Sequence, residues 1–286
     1  MSKILRSKKE IDQLLKRKYK LHFVPTMGFL HEGHLKIVNE AKRNTESKTL
    51  VSIFINPIQF SEILDFDLYP KDLKNDISKL KLLKTDFIFI PQKNFISNSI
   101  SKIKIGKLSK MLCGVDRKEH FDGVATVIMK FLTLLRPEYI YLGEKDFQQI
   151  LVIRQLIKDF SINTNVRVIP TVREKGGLAL SSRNKRLSKQ QKSLAQKIYH
   201  ELNGVKSKIN KKKFHLSELI KVKERLLKHG FKQINYLEIR KEKDLTLIDK
   251  NYDSCRIFIS ANIGGVRLID NLRLGKTRII GKFVSK

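Results

Sequence analysis

The amino-acid sequence predicts an α/β protein in which a parallel sheet is followed by a smaller α+β unit. Short apolar, β-branched runs alternate with helical patterns up to about residue 170, an order typical of parallel strands joined by helices. After about residue 189 the order changes to two helices and then three strands, which favours antiparallel pairing. We therefore expect two domains, residues 1–176 and residues 177–286.

The first strand-to-helix unit carries the earliest candidate site residues. An apolar run at residues 21–24 predicts a buried strand, Gly28 lies in the turn that ends it, and apolar positions from residue 35 supply one side of a helix. His31 and His34 fall in the first turn of this helix, on one face. Free backbone N–H groups and the helix dipole favour an anion there, such as a phosphate. Two ordinary surface histidines are the alternative for these residues alone.

Further apolar runs predict the other strands of the parallel sheet, at residues 50–55, 87–90, 139–142 and 166–170. Amphipathic patterns predict helices at residues 73–83, 124–135 and 148–157. Residues 92–122 have little periodicity, which predicts an irregular, lid-like excursion outside the core. In the second domain, helices are expected at residues 191–209 and 216–229, and strands at residues 236–240, 256–261 and 266–271.

Polar residues follow several of the predicted strands. Ligands in open parallel sheets lie beyond the carboxyl ends of the strands, so these residues are site candidates. Asn56 and Gln59 offer amides for a substrate that carries hydroxyl and carboxylate groups, and Lys145 could stabilise charge on a phosphate. The hydroxyls and guanidinium of residues 181–183 suit a mobile phosphate clamp. Taken singly, each group has an equally ordinary structural interpretation as a helix cap or turn residue.

The chain is strongly basic, with a formal net charge of +31. Such a charge is typical of nucleic-acid binders, but the lysines are spread over nearly every predicted helix and no base-stacking module accompanies them. We therefore expect no specific nucleic-acid partner. The first ten residues lack the apolar core of a signal peptide, and no apolar run reaches the ~18 residues of a membrane span. A soluble, cytoplasmic protein with no membrane partner is expected.

Longer strings carry a family resemblance. Residues 25–34, Pro-Thr-Met-Gly-Phe-Leu-His-Glu-Gly-His, contain the H-x-G-H signature of the nucleotidyl-transferring α/β superfamily, and the whole string resembles pantothenate synthetases. Further strings are similar to the same family, at residues 54–60, 69–76, 117–127, 142–149, 176–184, 236–239 and 266–271. Three positions depart from the family pattern: Lys71 stands where Arg is usual, Gly176 where Asp is usual, and Leu180 where Met is common. The likeness covers the whole chain.

The resemblance implies a Rossmann-like sheet and an ATP-dependent ligase that joins (R)-pantoate to β-alanine through an enzyme-bound pantoyl adenylate, releasing AMP and pyrophosphate. It also implies Mg²⁺ with the ATP and a homodimer built from the N-terminal domains. The catalytic residues implied are His34, which would protonate the departing pyrophosphate, and His31, Lys145 and Arg183. The ATP-binding residues implied are Met27, Gly28, Phe29, Leu30, His31, Glu32, Gly33, His34, Gly143, Glu144, Lys145, Asp146, Val172, Leu180, Ser181, Ser182 and Arg183.

The resemblance also implies a pocket for the other two substrates. Pantoate would contact Gln59, Gln149, Asn56 and Arg117, and Gln59 would also lie beside β-alanine. Asp76 would contact the metal that is bound to ATP. Two alternatives stay open. A nucleotidylyltransferase that leaves AMP on its product would share the two histidines but needs no pair of substrate-facing glutamines. A basic RNA-associated protein on an inactive enzyme scaffold would rest on the net charge alone.

Overall fold

The structure of the protein is a computed structural model that describes residues 2–92, 94–97, 101–248 and 252–275. Its strands are β1 Lys3–Leu5, β2 Leu21–Thr26, β3 Lys48–Ile53, β4 Phe87–Phe89, β5 Tyr139–Gly143, β6 Asn165–Ile169, β7 Gln233–Lys241, β8 Cys255–Ile263 and β9 Val266–Arg273. Its α-helices are α1 Lys8–Leu15, α2 Glu32–Lys42, α3 Ile63–Asp67, α4 Leu73–Leu82, α5 Asn94–Ser97, α6 Cys113–Asp116, α7 His120–Leu135, α8 Phe147–Asp159, α9 Lys189–Ala195, α10 Lys197–Asn210 and α11 Ser217–Lys228.

Six strands form one sheet in the order β1-β4-β3-β2-β5-β6, and every pairing in it is parallel. From β2 the chain winds outwards through β3 to β4 on one side, where β1 forms the edge, and it continues from β5 to β6 on the other side. A crevice therefore opens where β2 meets β5, the position at which open α/β sheets bind ligands. This arrangement confirms the predicted α/β fold with a parallel sheet.

Both faces of this sheet are covered, which is why its central strands are buried and mostly apolar. Successive side chains of β2 go to opposite faces: Phe23 packs with α7 and α8, whereas Val24 packs with Val38 of α2 and Leu80 of α4. Phe23, Val38 and Leu80 have no exposed surface. The sheet is thereby fixed as a rigid platform whose carboxyl edge carries the polar loops.

The remaining strands form a separate antiparallel sheet in the order β7-β8-β9. Residues such as Leu202 of α10 and Ile257 of β8 build a second core on one face of this sheet. On the other face, Phe258 joins the core of the large sheet and lies 5.9 Å from Phe147, centroid to centroid. The small sheet is thus packed directly against the start of α8, at the edge of the crevice.

Several expectations about elements need correction. β1 and α1 were not predicted, because the lysines and arginines around them hide a three-residue strand and an eight-residue helix. The helix expected at residues 191–209 is divided between α9 and α10 at Gln196. Residues 92–122 are not wholly outside the core, since Ile96 and Leu112 are buried in it; residues 93 and 98–100 of this stretch lie outside the described residues.

No helix in the described part of the chain is both long enough and apolar enough for a bilayer crossing.

A close contact between α7 and the turn after β3 gives a first testable prediction. Gly123 lies so near this turn that an added Cβ would be 2.3 Å from the carbonyl oxygen of Ile58. Gly123→Ala should therefore displace the turn and lower the free energy of unfolding by roughly 1–3 kcal/mol, as overpacking does. Urea denaturation measures this change.

The matched control is Gly204→Ala, in helix α10, where an added Cβ meets nothing within 4 Å. This variant should be neutral or stabilising by up to ~1 kcal/mol, because alanine is the better helix former. Equal effects of the two substitutions would contradict the steric argument.

Candidate active site

The turn between β2 and α2 is held by a carboxylate from another helix. Asp76 of α4 is 1% exposed, and its two oxygens accept hydrogen bonds from the backbone N–H groups of Phe29 and Leu30, each at 2.7 Å. Gly28 adopts a φ of +82°, and an added Cβ there would be 2.9 Å from the Asp76 carboxylate. Burial raises the pKa of Asp76, while the two N–H groups oppose that shift. The turn therefore depends on both residues.

The two histidines cap the helix that follows. His31 is the N-cap of α2, and its Nδ1 accepts a hydrogen bond from the N–H of Gly33 at 3.1 Å. The Nδ1 of His34 accepts from the N–H of His31 at 3.3 Å, which completes a reciprocal capping pair. The rings are stacked with centroids 4.0 Å apart. Because both Nδ1 atoms are acceptors, the neutral rings carry their protons on Nε2.

Both imidazoles favour the neutral form. Burial, reinforced by the nearby Lys145 ammonium, lowers the pKa of His31 to about 4. Burial, His31 and Lys145 together hold the pKa of His34 well below its usual value. A neutral ring donates a hydrogen bond from Nε2–H, whereas the expected role of His34 as the acid that protonates pyrophosphate requires an imidazolium. The lowered pKa values therefore favour two rings that donate hydrogen bonds from Nε2–H.

Most of the predicted site residues meet in one cleft of about 220 Å³ at the crevice. It is lined, among others, by Met27, His31, Gly33, His34, Asn56, Gln59, Gly143, Lys145, Asp146, Gln149, Val172, Leu180, Ser181, Ser182 and Arg183. The predicted residues that lie outside this lining are Gly28, Phe29, Leu30, Glu32, Glu144, Arg117 and Asp76. Phe29 and Leu30 contribute through the backbone of the turn. The cleft therefore gathers segments that are far apart in the sequence.

Three amides form one side of the cleft. The Nδ2 of Asn56 donates to the side chain of Gln59 at 3.1 Å and to the carbonyl oxygen of Gly123 at 3.0 Å, so α7 orients both amides. The Oδ1 of Asn56 is buried, and no hydrogen-bond partner for it is present among the described residues. Gln149, on the first turn of α8, also lines this cleft. The amide face can thus bind a compact polar molecule with donors and acceptors.

Arg117 lies outside the lining of the cleft, and its guanidinium contacts other groups of the protein. Its guanidinium donates to the backbone carbonyl oxygen of Gln59 at 3.2 Å and lies 3.1 Å from the Nε2 of His120. The Nδ1 of His120 is 2.7 Å from the same carbonyl oxygen. Burial and the Arg117 charge lower the pKa of His120 to about 3. The resemblance implies that Arg117 and His120 approach the pantoate pocket, and both side chains here hold the backbone of Gln59.

Arg183 is paired with a carboxylate that sequence reasoning missed. Its Nε and Nη2 donate to the two oxygens of Asp65 on α3, at 3.2 and 2.7 Å. Its guanidinium also lies 5.3 Å from the ring centroid of Tyr69. Ser182 donates to the carbonyl oxygen of Phe29 at 3.2 Å and so joins this loop to the β2–α2 turn. Asp65 takes two of the five N–H donors of Arg183, so a phosphate at the cleft would bind the remaining donors or replace Asp65.

One cleft lies at the switch point of the parallel sheet. It is lined by a helix N-terminus with neutral imidazole donors, by a lysine and by a hydroxyl-rich loop. This combination defines a nucleotide-binding α/β enzyme. The sequence model of the pantoate-beta-alanine ligase family matches residues 2–273, and the chain belongs to that family. The predicted family resemblance is therefore confirmed.

Named relatives agree. The pantothenate synthetase of Caldicellulosiruptor bescii is 38% identical over 268 residues, which are 92% of this chain and 95% of that protein. That of Ruthia magnifica is 42% identical over 254 residues, 87% of this chain and 89% of the relative. The crystal structure of the Thermus thermophilus enzyme is 33% identical, with a TM-score of 0.89 over 96% of this chain and 100% of its own.

One similar structure was solved with ligands. The pantoate-beta-alanine ligase of Francisella tularensis, complexed with beta-gamma ATP and beta-alanine, is 35% identical to this chain. Its TM-score is 0.81, and the match covers 96% of this chain and 98% of the other.

The buried histidines generate a prediction about pH. In the folded protein the pKa of His120 is about 3 and that of His31 about 4, both below the ~6.5 of an unfolded chain. As the pH falls below ~6.5, the unfolded chain binds protons that the folded chain does not, so stability is lost. At pH 5 each ring should contribute a loss on the order of 2 kcal/mol.

Urea unfolding of the wild type and of His120→Gln, at pH 7.5 and at pH 5, measures this loss. The variant should have a smaller difference in unfolding free energy between the two pH values. If the variant and the wild type lost the same free energy of unfolding between the two pH values, His120 would be protonated in the folded state at pH 5 and its pKa would not be lowered.

Proposed function

We propose that this chain condenses pantoate with β-alanine at the expense of ATP, through a pantoyl adenylate, and forms pantothenate, AMP and pyrophosphate. The observation that carries the proposal is the meeting of ATP-type groups and an amide face in a single cleft, in a chain of the pantoate-beta-alanine ligase family. The ligands of the Francisella tularensis ligase, beta-gamma ATP and beta-alanine, are the substrate types that such a cleft would hold.

In the first step a carboxylate oxygen of pantoate attacks the α-phosphorus of ATP, and the bond to the β-phosphate breaks so that pyrophosphate leaves. This step requires positioning and charge stabilisation, with no covalent nucleophile from the protein. The Nε2–H groups of His31 and His34 would donate to phosphate oxygens at the N-terminus of α2. Lys145 would approach the charge that grows on the phosphate, and the hydroxyl of Ser181 would donate to a further oxygen. The hydroxyl of Ser182 would do so in place of its bond to the carbonyl oxygen of Phe29.

In the second step the neutral amine of β-alanine attacks the acyl carbon of the adenylate. The bond from that carbon to the AMP oxygen breaks, AMP leaves with the electron pair, and the amine loses a proton. The amides of Gln59 and Gln149 would hold the pantoyl group, with the orphaned Oδ1 of Asn56 as a buried acceptor for a substrate hydroxyl. Gln59 would also lie beside the incoming amine.

Magnesium would bind at this site together with ATP. The described residues contain no cluster of three His, Cys, Asp or Glu side chains that could hold a metal ion. Asp76 is the predicted ligand, and each of its oxygens already accepts one backbone hydrogen bond. Mg²⁺ usually binds through one or two carboxylates together with substrate phosphates. Because Asp76 is 1% exposed and lies outside the lining of the cleft, it would hold the turn, and the phosphates of ATP would bind the ion that neutralises their charge.

Other expectations from the resemblance extend the proposal. Residues 177–286 would act as a lid domain over the nucleotide, and the protein would work in the cytoplasm as a homodimer. Light scattering tests the assembly, since a mass near 33.3 kDa would identify a monomer instead.

The test of the function is an assay of AMP formation with ATP, pantoate and β-alanine, each omitted in turn. AMP should appear at a sustained rate only when all three are present. A nucleotidylyltransferase would instead leave AMP on its product and need no β-alanine. A chain that binds RNA and forms no AMP would sink the proposal altogether.

The amide face generates a selective prediction. Gln149→Ala should weaken pantoate binding by roughly 5- to 150-fold, since a buried substrate group would lose its partner at a cost of roughly 1–3 kcal/mol. ATP binding through His31, His34 and Lys145 should change less than about twofold. Calorimetric titration with each ligand separately measures both constants.

The matched control is Gln155→Ala on the same helix, whose exposed amide donates to Asp159. This variant should bind both ligands as the wild type does. If Gln149→Ala lost ATP binding and kept pantoate binding, the assignment of the amide face would be wrong.

A further inference from the structure

Two consecutive residues of β9 lie near the cleft without lining it: Asn271 contacts the loop that carries Lys145, and Asp270 contacts Arg173, whose segment leads into the loop of residues 181–183. We propose that they are positioning residues, which set the distance between Lys145 and the loop of residues 181–183. This inference rests on the proposed function, because it assigns these two loops to ATP. It adds a role for the C-terminal sheet in building the nucleotide site.

Asn271 holds the loop that carries Lys145. Its Nδ2 donates to the backbone carbonyl oxygens of Lys145, at 2.8 Å, and of Glu144, at 3.2 Å. The side chain is 3% exposed, so these bonds are shielded from water. Both amide protons are used on two successive carbonyl groups, which fixes the direction of the backbone at Lys145.

A buried arginine orients Asn271. The guanidinium of Arg256 donates to the Oδ1 of Asn271, and it also donates to the Oε1 of Glu144 at 2.7 Å. Its carbon lies 4.3 Å from the ring centroid of Phe147, at the start of α8. The amide of Asn271 therefore has a fixed orientation, with its oxygen towards Arg256 and its NH₂ group towards the loop.

Asp270 holds the loop on the opposite side of the cleft. Its two carboxylate oxygens accept hydrogen bonds from the two terminal nitrogens of Arg173, at 2.5 and 2.8 Å. Arg173 in turn donates to the carbonyl oxygen of Gly177 at 3.0 Å and forms an antiparallel bridge with Ala179. The chain that leads to the Ser-Ser-Arg segment is thereby tied to β9.

The two contacts are linked. The carboxylate of Asp270 also accepts the backbone N–H of Asn271, at 2.7 Å. Adjacent positions of one strand thus set the separation of the two loops. In transfer reactions a misplacement of ~1 Å can lower the rate ~100-fold, so a brace of this kind acts on the rate without touching the substrate.

The test uses Asn271→Asp, which keeps the shape and the acceptor for Arg256 but removes both donors to the loop. Pyrophosphate release is measured in single turnovers with ATP and pantoate. The rate of adenylate formation should fall about tenfold, the equivalent of ~1.4 kcal/mol in lost hydrogen bonds, while pantoate affinity stays within about twofold.

The matched control is Asn203→Asp in α10, which removes a similar amide-to-carbonyl bond, to Tyr199. The control should keep the wild-type rate.

A double-mutant cycle separates positioning from general support of the fold. If Asn271 acts through Lys145, then Asn271→Asp should slow a Lys145→Ala enzyme by less than about twofold. A full tenfold loss in that background, or an equal loss of ATP and pantoate affinity, would overturn the inference. So would a wild-type rate in Asn271→Asp itself.

Asp270 provides an independent test of the inference if Asn271→Asp does not fold. Asp270→Asn should weaken ATP binding about tenfold and leave pantoate binding unchanged within about twofold. Its matched control is Glu201→Gln, which alters a similar two-bond arginine pair, with Arg225, in the helices of the same domain. Equal effects in the two variants would overturn the inference. Failure of the wild type to form AMP would count against the proposed function instead.

Discussion

The nucleotide cleft depends on the pair of hydrogen bonds that the Asp76 carboxylate accepts from Phe29 and Leu30. These bonds fix the turn after β2, and the turn determines where α2 begins. The start of α2 in turn decides where His31 and His34 lie. A buried carboxylate needs several such donors to offset its desolvation, so the turn and the carboxylate stabilise each other. Gly28 is required because a side chain there would occupy the place of the carboxylate.

The electrostatics of the cleft differ from those of the chain as a whole. The formal net charge is +31, yet the two histidines nearest to the helix terminus favour the neutral form. The positive charge of Arg183 is paired with Asp65. Lys145 contributes its charge to the cleft, whereas the neutral rings of His31 and His34 contribute hydrogen-bond donors. Preorganised donors in a partly dry cleft stabilise phosphate charge without strengthening the attraction of every other anion.

Sequence reasoning identified the carboxyl ends of the strands and the residues that follow them, because apolar runs and local strings contain that information. β1 and α1 escaped it, since charged residues surround both. It also missed the partners of the site residues. Asp65 is 118 positions from Arg183, and Asn271 is 126 positions from Lys145. An aspartate on a short helix and an asparagine on a strand have no local pattern that indicates such contacts. They are recognisable only when the fold brings the two segments together.

The small sheet contacts the chain on both sides of the cleft, and under the proposed function this has a thermodynamic consequence. Arg256, Asn271 and Asp270 join β8 and β9 to the loops on either side of the cleft. Coupling between binding free energies is reciprocal, so a contact that improves ATP binding must itself become more stable when ATP is bound. If the contacts of β8 and β9 act on ATP binding as proposed, bound ATP should stabilise the attachment of the small sheet. The attachment of the small sheet and the affinity for ATP would then be two measures of the same coupling free energy.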